Sequence, residues 1–182
     1  MKKETTQIKA ALRRVKTPVQ GAELITTPLG PLYAAATRRG LFMLRFVEEA
    51  GAGALPVQKG SPVITKLRRE LDVYFRGKLK DFTVPVKFEF GTQFQHDVWK
   101  ALGKIPFGKI CSYQDVAKHC GTPEGYRAVG MANGANPVVI VVPCHRVINA
   151  SGQIGGYGCG ITRKIKLLEL EGVRFSPRGQ LL

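Results

Sequence analysis

The chain has 182 residues, enough for one full domain or two small ones, and its 44% hydrophobic and 23% charged content is that of a globular protein, not a disordered or fibrous one. No apolar run approaches the ~20 residues a membrane helix requires, and the basic start MKKETTQIKAALRRVK lacks the apolar stretch of a secretory signal, so a cytoplasmic location without membrane contact is expected. Twenty-eight Lys and Arg against thirteen Asp and Glu leave a net charge of +15, which predicts attraction to a polyanion, nucleic acid above all, without fixing the chemistry.

Residues 1–20 read as a flexible basic N-terminus. From Ala22 to Val47, AELITTP, PLYAAAT and LFMLRFV are short β-leaning runs separated by the turn signals Pro28-Leu29-Gly30 and Arg38-Arg39-Gly40. SPVITKLRRELDVYFRGK follows as a helix, with Ser61 as N-cap, Pro62 at N1 and Gly77 just past its end. Val63, Ile64, Leu67, Leu71 and Phe75 fall on one face of it. Residues 21–90 therefore read as a small α/β domain, with a boundary near Phe90-Gly91-Thr92.

Residues 91–175 have a helical texture, and 176–182 read as a C-terminal tail. Phe94, Val98, Leu102 and Ile105, with Trp99, form an amphipathic stripe that Pro106 and Gly108 end. Ser112 with Asp115 resembles a capping box, opening a short helix that stops around Gly121. Thr122 and Pro123 begin a second helix running to about Asn133. Two short helices across a glycine turn match a helix-turn-helix. The second carries Arg127 amid Gly125, Ala128, Gly130, Ala132 and Gly134, and each helical glycine costs ~1 kcal/mol relative to alanine. Such a helix is pressed close against another element, either a helix of its own fold or a nucleic-acid backbone.

Val138, Val139, Ile140, Val141 and Val142 read as a strand buried on both faces, stopped by Pro143. Cys144, His145 and Arg146 follow at once. Cys144 is either inert core filling or a nucleophile delivered by that strand. Adjacent strand residues point to opposite faces, so Cys144 and His145 cooperate only if Pro143 bends the chain or a water bridges them. ASGQIGGYGCG reads as a mobile loop. The last helix carries Ile161, Ile165 and Leu168, with Leu167 and Leu170 beside the stripe, and ends at Glu171 with Gly172 at C′. A carboxylate in a last helical turn opposes the macrodipole, so Glu171 either has a cationic or hydrogen-bonding partner or lies exposed.

Cys111, Cys120, Cys144 and Cys159 show no C-x-x-C spacing, and His96, His119 and His145 are not spaced as a ligand pair. No disulfide, metal or other cofactor is expected. A zinc deaminase is excluded, because Val147 stands where its second cysteine would be and no H-x-E occurs.

PCHRV (143–147), preceded by Asn136-Pro137 and followed by the glycine-rich loop and LELEG, resembles the O6-alkylguanine-DNA alkyltransferases, as do FQHDVWKALGKIPFGKICSYQDVA and YRAVGMANGANP. The resemblance runs from about Gly91 to Gly172 and is fainter over TPLGPLYAAATRRGLFMLRF. It implies a ribonuclease-H-like α/β N-terminal domain followed by a mostly helical DNA-binding domain with a helix-turn-helix. It further implies a monomer that flips O6-alkylguanine out of double-stranded DNA from the minor-groove side and moves the alkyl group irreversibly to its own cysteine, once per molecule.

In that scheme Cys144 is the nucleophile, His145 the base acting through a water, and Glu171 the residue that holds His145. Asn136 bridges the helix pair to the site, and Tyr113 donates to the flipped guanine. Arg127 fills the space the base leaves, while Ala128 and Gly130 let their helix approach the groove. Ser112, Thr122, Val147, Tyr157, Gly158 and Cys159 complete the contacts to substrate and DNA. At Gly158 some members carry a serine that contacts the lesion oxygen; here only the backbone N–H is available. Rival readings are a lesion binder without transfer, a helix-turn-helix regulator, and a hydrolase built on Cys144, His145 and Glu171; the first lacks the cysteine found here.

Overall fold

The computed structural model describes residues 2–182, with side chains from Thr5 onward, as two units, Met1–Gly91 and Thr92–Leu182. The first unit opens with helix α1 (Lys2–Arg14), where composition reads as a flexible lead. The difference lies in four apolar positions. Ile8 enters a buried cluster with Ala22, Tyr33, Ala35, Ala52 and Leu55, and Ala11, Leu12 and Val15 pack beside it. An amphipathic face docked on a core stabilises a helix that charge composition alone hides.

Three antiparallel strands follow, β1 (Val19–Ile25), β2 (Leu32–Thr37) and β3 (Gly40–Phe46), with β2 in the centre. Ala22 lies opposite Ala35 and Ala34 opposite Leu44. Every residue of β2 is buried, which is why LYAAAT shows no polar alternation. After a short helix, α2 (Glu49–Ala52), helix α3 (Pro62–Phe75) packs on all three strands through Ile64, Leu67, Leu71 and Tyr74. Ser61 does stand at its N-cap, but the side chain makes no capping bond. It is buried against β1 at Gly21, where a Cβ would overlap it, and its carbonyl accepts the Thr65 amide at 2.9 Å.

The second unit begins with α4 (Gln93–Leu102), capped reciprocally by Thr92 and Gln95. A two-residue strand, β4 (Cys111–Ser112), leads into α5 (Tyr113–His119), where Ser112 and Asp115 form the expected capping box. Gly121 turns the chain at φ +70°. Helix α6 (Tyr126–Gly134) starts four residues later than Thr122, because the Thr122 carbonyl is first taken by the Gly125 amide in a tight turn. Helices α4, α5 and α6 pack on one another, and Trp99 Nε1 donates to the Ala132 carbonyl at 2.8 Å.

Val138–Val142 is not a strand. Its amides bond inward, Val141 N to Val139 O and Val142 N to Val138 O, and Ile140 sits at φ +71°. Among the described residues no strand runs alongside to supply a ladder. The Asn136 side chain takes that part, accepting from Val138 N at 3.0 Å and donating to Val142 O at 2.8 Å. The buried coil then enters a 3₁₀ turn (Cys144–Arg146) and a short strand, β5 (Val147–Ile148), which pairs in parallel with β4. β-branched sequence thus reports burial here and not strand pairing.

Helix α7 (Ile161–Leu170) ends with Glu171 as C-cap and Gly172 at φ +83°. The loop before it is held down. Ile154 N donates to Gly179 O and Leu181 N to Gly152 O, so residues 176–182 fold back onto it instead of trailing as a tail. Among the described residues no helix is long and apolar enough to cross a membrane.

Replacing Ile8 with alanine tests whether α1 belongs to the core. The expected loss is about 2–5 kcal/mol in urea unfolding; a dangling segment would give a change near zero.

Candidate active site

Cys144 stands on a 3₁₀ turn, not a strand, so the two-faced alternation that would have separated it from His145 does not apply. Asn136 fixes the coil that leads into this turn, and Asn133 Nδ2 donates to the Cys144 carbonyl at 3.3 Å. The coil and the Cys144 backbone are thus set by two asparagines.

His145 is fully buried, with Nε2 2.9 Å from Glu171 Oε1. Arg146 meets the same carboxylate in a fork, Nε to Oε2 at 2.8 Å and Nη2 to Oε1 at 2.9 Å, and donates from Nη1 to the Ile105 carbonyl. The Gly108 amide adds a further donor at 3.3 Å. Burial pushes Glu171 up, but the hydrogen bonds from His145 and Arg146 and their charge overcome it and hold the acid down at about 2. Glu171 is therefore an ionised acceptor, so the hydrogen on this side of His145 rides on Nε2. Nδ1 is left with the lone pair. It is buried and has no hydrogen-bond partner among the described residues. Burial also lowers His145 below its usual value in spite of Glu171, which leaves a neutral imidazole with a free basic nitrogen.

The Cys144 thiol is pushed up to about 11 by burial and by the neighbouring Cys159, while the Asn136 amide, the Tyr157 hydroxyl and the Lys164 charge pull against that. Lys164 is completely buried. Its Nζ donates to Val147 O at 2.6 Å, Ile154 O at 2.5 Å and Gly156 O at 3.2 Å. Tyr113 is raised by burial and by the Cys144 charge, so it remains a phenol able to donate; its hydroxyl lies 3.5 Å from Gly156 O.

Helix α6 buries Val129, Ala132 and Asn133 and exposes Tyr126, Arg127, Ala128, Met131 and Gly134. Gly130 meets only Tyr113, at 4.0 Å from its virtual Cβ, and nothing lies within reach of Gly134. The glycines thus open a face of α6 and are not explained by a partner helix. Beside that face is a cleft of about 310 Å³ lined by Tyr113, Tyr126, Gly130 and the segment Asn149, Ala150, Ser151.

The other positions singled out from the sequence range from exposed, at Thr122 and Gly158, to fully buried, at Val147. Ser112 is engaged with Asp115, and the Thr122 hydroxyl donates to Ala117 O at 3.5 Å. Val147 is in the core with its carbonyl on Lys164. Tyr157, Gly158 and Cys159 share the loop that Lys164 ties, and Cys159 O accepts from Arg163 at 3.0 Å.

A family model for the 6-O-methylguanine DNA methyltransferase DNA-binding domain matches residues 93–173, and the model for the ribonuclease-like domain of the same proteins matches residues 22–88. The chain belongs to this family. A methylated-DNA–protein-cysteine methyltransferase from Methanosarcina barkeri is 40% identical over 151 residues, 82% of this chain and 95% of that protein. The crystal structure of the Mycobacterium tuberculosis O6-methylguanine methyltransferase matches at a TM-score of 0.72 and 42% identity, over 83% of this chain and 92% of that one. A crystal structure of the Mycobacterium tuberculosis protein in complex with DNA matches at 0.73 and 44%, over 82% and 91%. The N-terminal unit is accordingly the family's ribonuclease-like domain and the C-terminal unit its DNA-binding domain.

Three residues of the site escape sequence reasoning, the first being Asn133, whose side chain reaches the Cys144 carbonyl. Arg146 lies inside PCHRV but gives no sign of its partner until the chain folds. Lys164 had a visible signal, because a lysine at i−4 and i−3 from buried Leu168 and Leu167 occupies the core-facing stripe of α7.

Acid titration follows from these groups. Glu171 is held at about 2 against an ordinary 4.5, and His145 lies below its ordinary 6.5, so below each ordinary value the unfolded chain binds protons first. The stability both contribute is complete above about pH 6.5 and is lost progressively as pH falls toward 2. Urea midpoints measured from pH 7 to pH 3 are expected to fall throughout, and Glu171→Gln to flatten the part below pH 4.5.

Proposed function

We propose that the protein repairs DNA by direct reversal, moving the alkyl group of O6-alkylguanine in duplex DNA onto Cys144. It is a methylated-DNA–protein-cysteine methyltransferase, and one observation carries the mechanism: His145, locked by Glu171, offers a bare Nδ1 one residue from a buried thiol.

A thiol at about 11 is protonated at pH 7, and a free thiolate there would lie on the order of 5 kcal/mol uphill. Proton removal therefore has to accompany attack. His145 Nδ1 takes the Cys144 proton through one water, and Glu171 stabilises the imidazolium that forms. The sulfur bonds to the alkyl carbon as the C–O6 bond breaks, and that electron pair passes into the guanine. Tyr113, still a phenol, donates to the departing base and offsets the charge it gathers. The product is a thioether. It has no electrophilic carbonyl for water to attack, so the thiol is not regenerated and each molecule acts once.

A base inside a stack cannot reach a buried sulfur, so it is flipped out, which takes a few kcal/mol. The α5–turn–α6 pair acts as a helix-turn-helix whose exposed small-residue face approaches the minor groove, with Arg127 entering the space left behind. Ala128 and Gly130 keep that face low; Ser112, Thr122, Tyr157, Gly158 and Cys159 flank the DNA or the base. Val147 serves through its backbone, since its side chain is buried. Every group in the chemistry comes from one unit of one chain, so a monomer suffices, and four free thiols suit a reducing compartment such as the cytoplasm.

Mixing the protein with excess duplex containing O6-methylguanine should add one methyl group, mapped to Cys144 and stopping at one per chain in intact-mass spectrometry. Cys144→Ala should keep DNA binding and take up nothing. Repeated turnover would mark a hydrolase instead, and binding without a mass change a lesion binder. Arg127→Ala is expected to slow transfer from duplex by at least 10-fold while sparing transfer from the free base, compared in single-turnover assays; equal losses would remove Arg127 from base extrusion.

A further inference from the structure

Met131 stands on α6 with 78% of its surface exposed, and among the described large apolar residues only Leu182 is more open. A lone exposed apolar side chain on a protein surface is ordinary and carries no message by itself. The placing of this one does. Met131 follows Arg127 by four residues, so the two project from one face of the helix, with Ala128 a turn below it and Gly134 a turn above. Open space surrounds Gly134, and Gly130 meets only Tyr113. Tyr126, also exposed, lies under the Arg127 guanidinium at 5.9 Å. The helix carries no carboxylate that would repel phosphate. A face kept low by alanine and glycine therefore has one long, flexible, apolar side chain standing on it. When that face meets a duplex, the methionine either holds the helix off or enters the groove.

We propose that Met131 is an apolar wedge: as α6 enters the minor groove, its thioether inserts at a base step beside the extruded guanine and props that step open while Arg127 fills the gap. This rests on the reading of α6 as the helix that approaches the minor groove. Spacing and chemistry both fit. A helix rises ~1.5 Å per residue, so Met131 lies about 6 Å along the axis from Arg127. That is about two stacked bases at ~3.4 Å each. The minor groove is ~6 Å wide and a helix ~10 Å across, so α6 reaches the bases only by forcing the groove apart. Proteins that do this insert apolar side chains between base steps and bend the duplex toward the major groove. Methionine suits the task, being unbranched, freely rotating and polarisable, with a sulfur that packs well on aromatic rings. Insertion also takes its exposed apolar surface out of water, a gain that a polar side chain would not bring. The consequence is a preference for sequence. Lesions flanked by easily unstacked steps, TA or CA/TG, should be repaired faster than lesions in a stiff A-tract.

The test pairs two readouts on the full chain. Single-turnover methyl transfer is measured from an O6-methylguanine duplex and from the free base O6-methylguanine, and a 2-aminopurine two positions from the lesion reports unstacking by its fluorescence. The parent should brighten the probe on binding. Met131→Ala should bind without brightening it and react with the duplex about 10-fold more slowly, with transfer from the free base and melting temperature unchanged. Met131→Leu should keep both signals, and Met131→Gln, similar in length but polar, should behave as the alanine variant. The parent should favour a TA-flanked lesion over one in an A-tract, and the alanine variant should lose that preference. An alanine variant that matches the parent in duplex rate and brightening overturns the proposal, as does an equal loss on duplex and free base. So does a variant altered only in the self-association of the free protein on sedimentation, which would make the methionine a protein contact. If the parent takes up no methyl group from either substrate, the functional reading itself falls; an active parent indifferent to Met131 removes this proposal alone.

Discussion

The polar cluster behind Cys144 hangs on one buried carboxylate. Glu171 receives His145 Nε2, two nitrogens of Arg146 and the Gly108 amide, so its lone pairs are filled although it is nearly out of contact with water. Were Arg146 absent, burial would drive the carboxyl toward its neutral form, and a neutral acid no longer dictates which ring nitrogen of His145 holds the hydrogen. Arg146 is in turn anchored by the Ile105 carbonyl and stands 5.9 Å over the Phe107 ring. Buried ion pairs are weak sources of stability, but breaking one leaves an uncompensated charge worth about 3–5 kcal/mol. The arrangement is retained for what it fixes: a neutral imidazole with its lone pair on Nδ1.

The second constraint is Asn136. Its side chain stands in for a missing strand, closing Val138–Val142 into a coil, and its amide also faces the Cys144 sulfur. Holding the chain and drawing the Cys144 thiol down are therefore a single act. Ile140 at positive φ is a sign of how tightly the coil is wound, since a β-branched residue takes that conformation only when its surroundings impose it.

What could be read from the sequence was whatever is decided locally. The Ser112–Asp115 box and the end of α7 at Gly172 depend on residues three or four apart, and both stand where expected. The macrodipole argument at Glu171 asked for a cationic or hydrogen-bonding partner, and three residues supply one: His145, Arg146 and Gly108. The ordering of helix, turn and helix was also legible, though the start of α6 was hidden by the Thr122–Gly125 turn. Hidden as well was everything set by distant packing. Five β-branched residues look like a strand until Asn136 closes them into a coil, and α1 looks like a solvated lead until Ile8 finds its cluster. Cys144, His145 and Glu171 come together in the fold, whereas Arg127 and Ala128 stand on the exposed side of α6 and Val147 lies in the core.

The carbonyls that Lys164 gathers come from both ends of one stretch of chain, Val147 before it and Ile154 and Gly156 after it. The stretch between is a loop closed at its base by one amine, and its tip, Asn149 to Ser151, borders the cleft beside α6. The tip is braced as well, because Gln180 donates to the Ser151 carbonyl and Leu181 to that of Gly152. The end of the chain thus acts as a buttress, and removing its last three residues would slacken one rim of that cleft while leaving the lysine tie at the base in place.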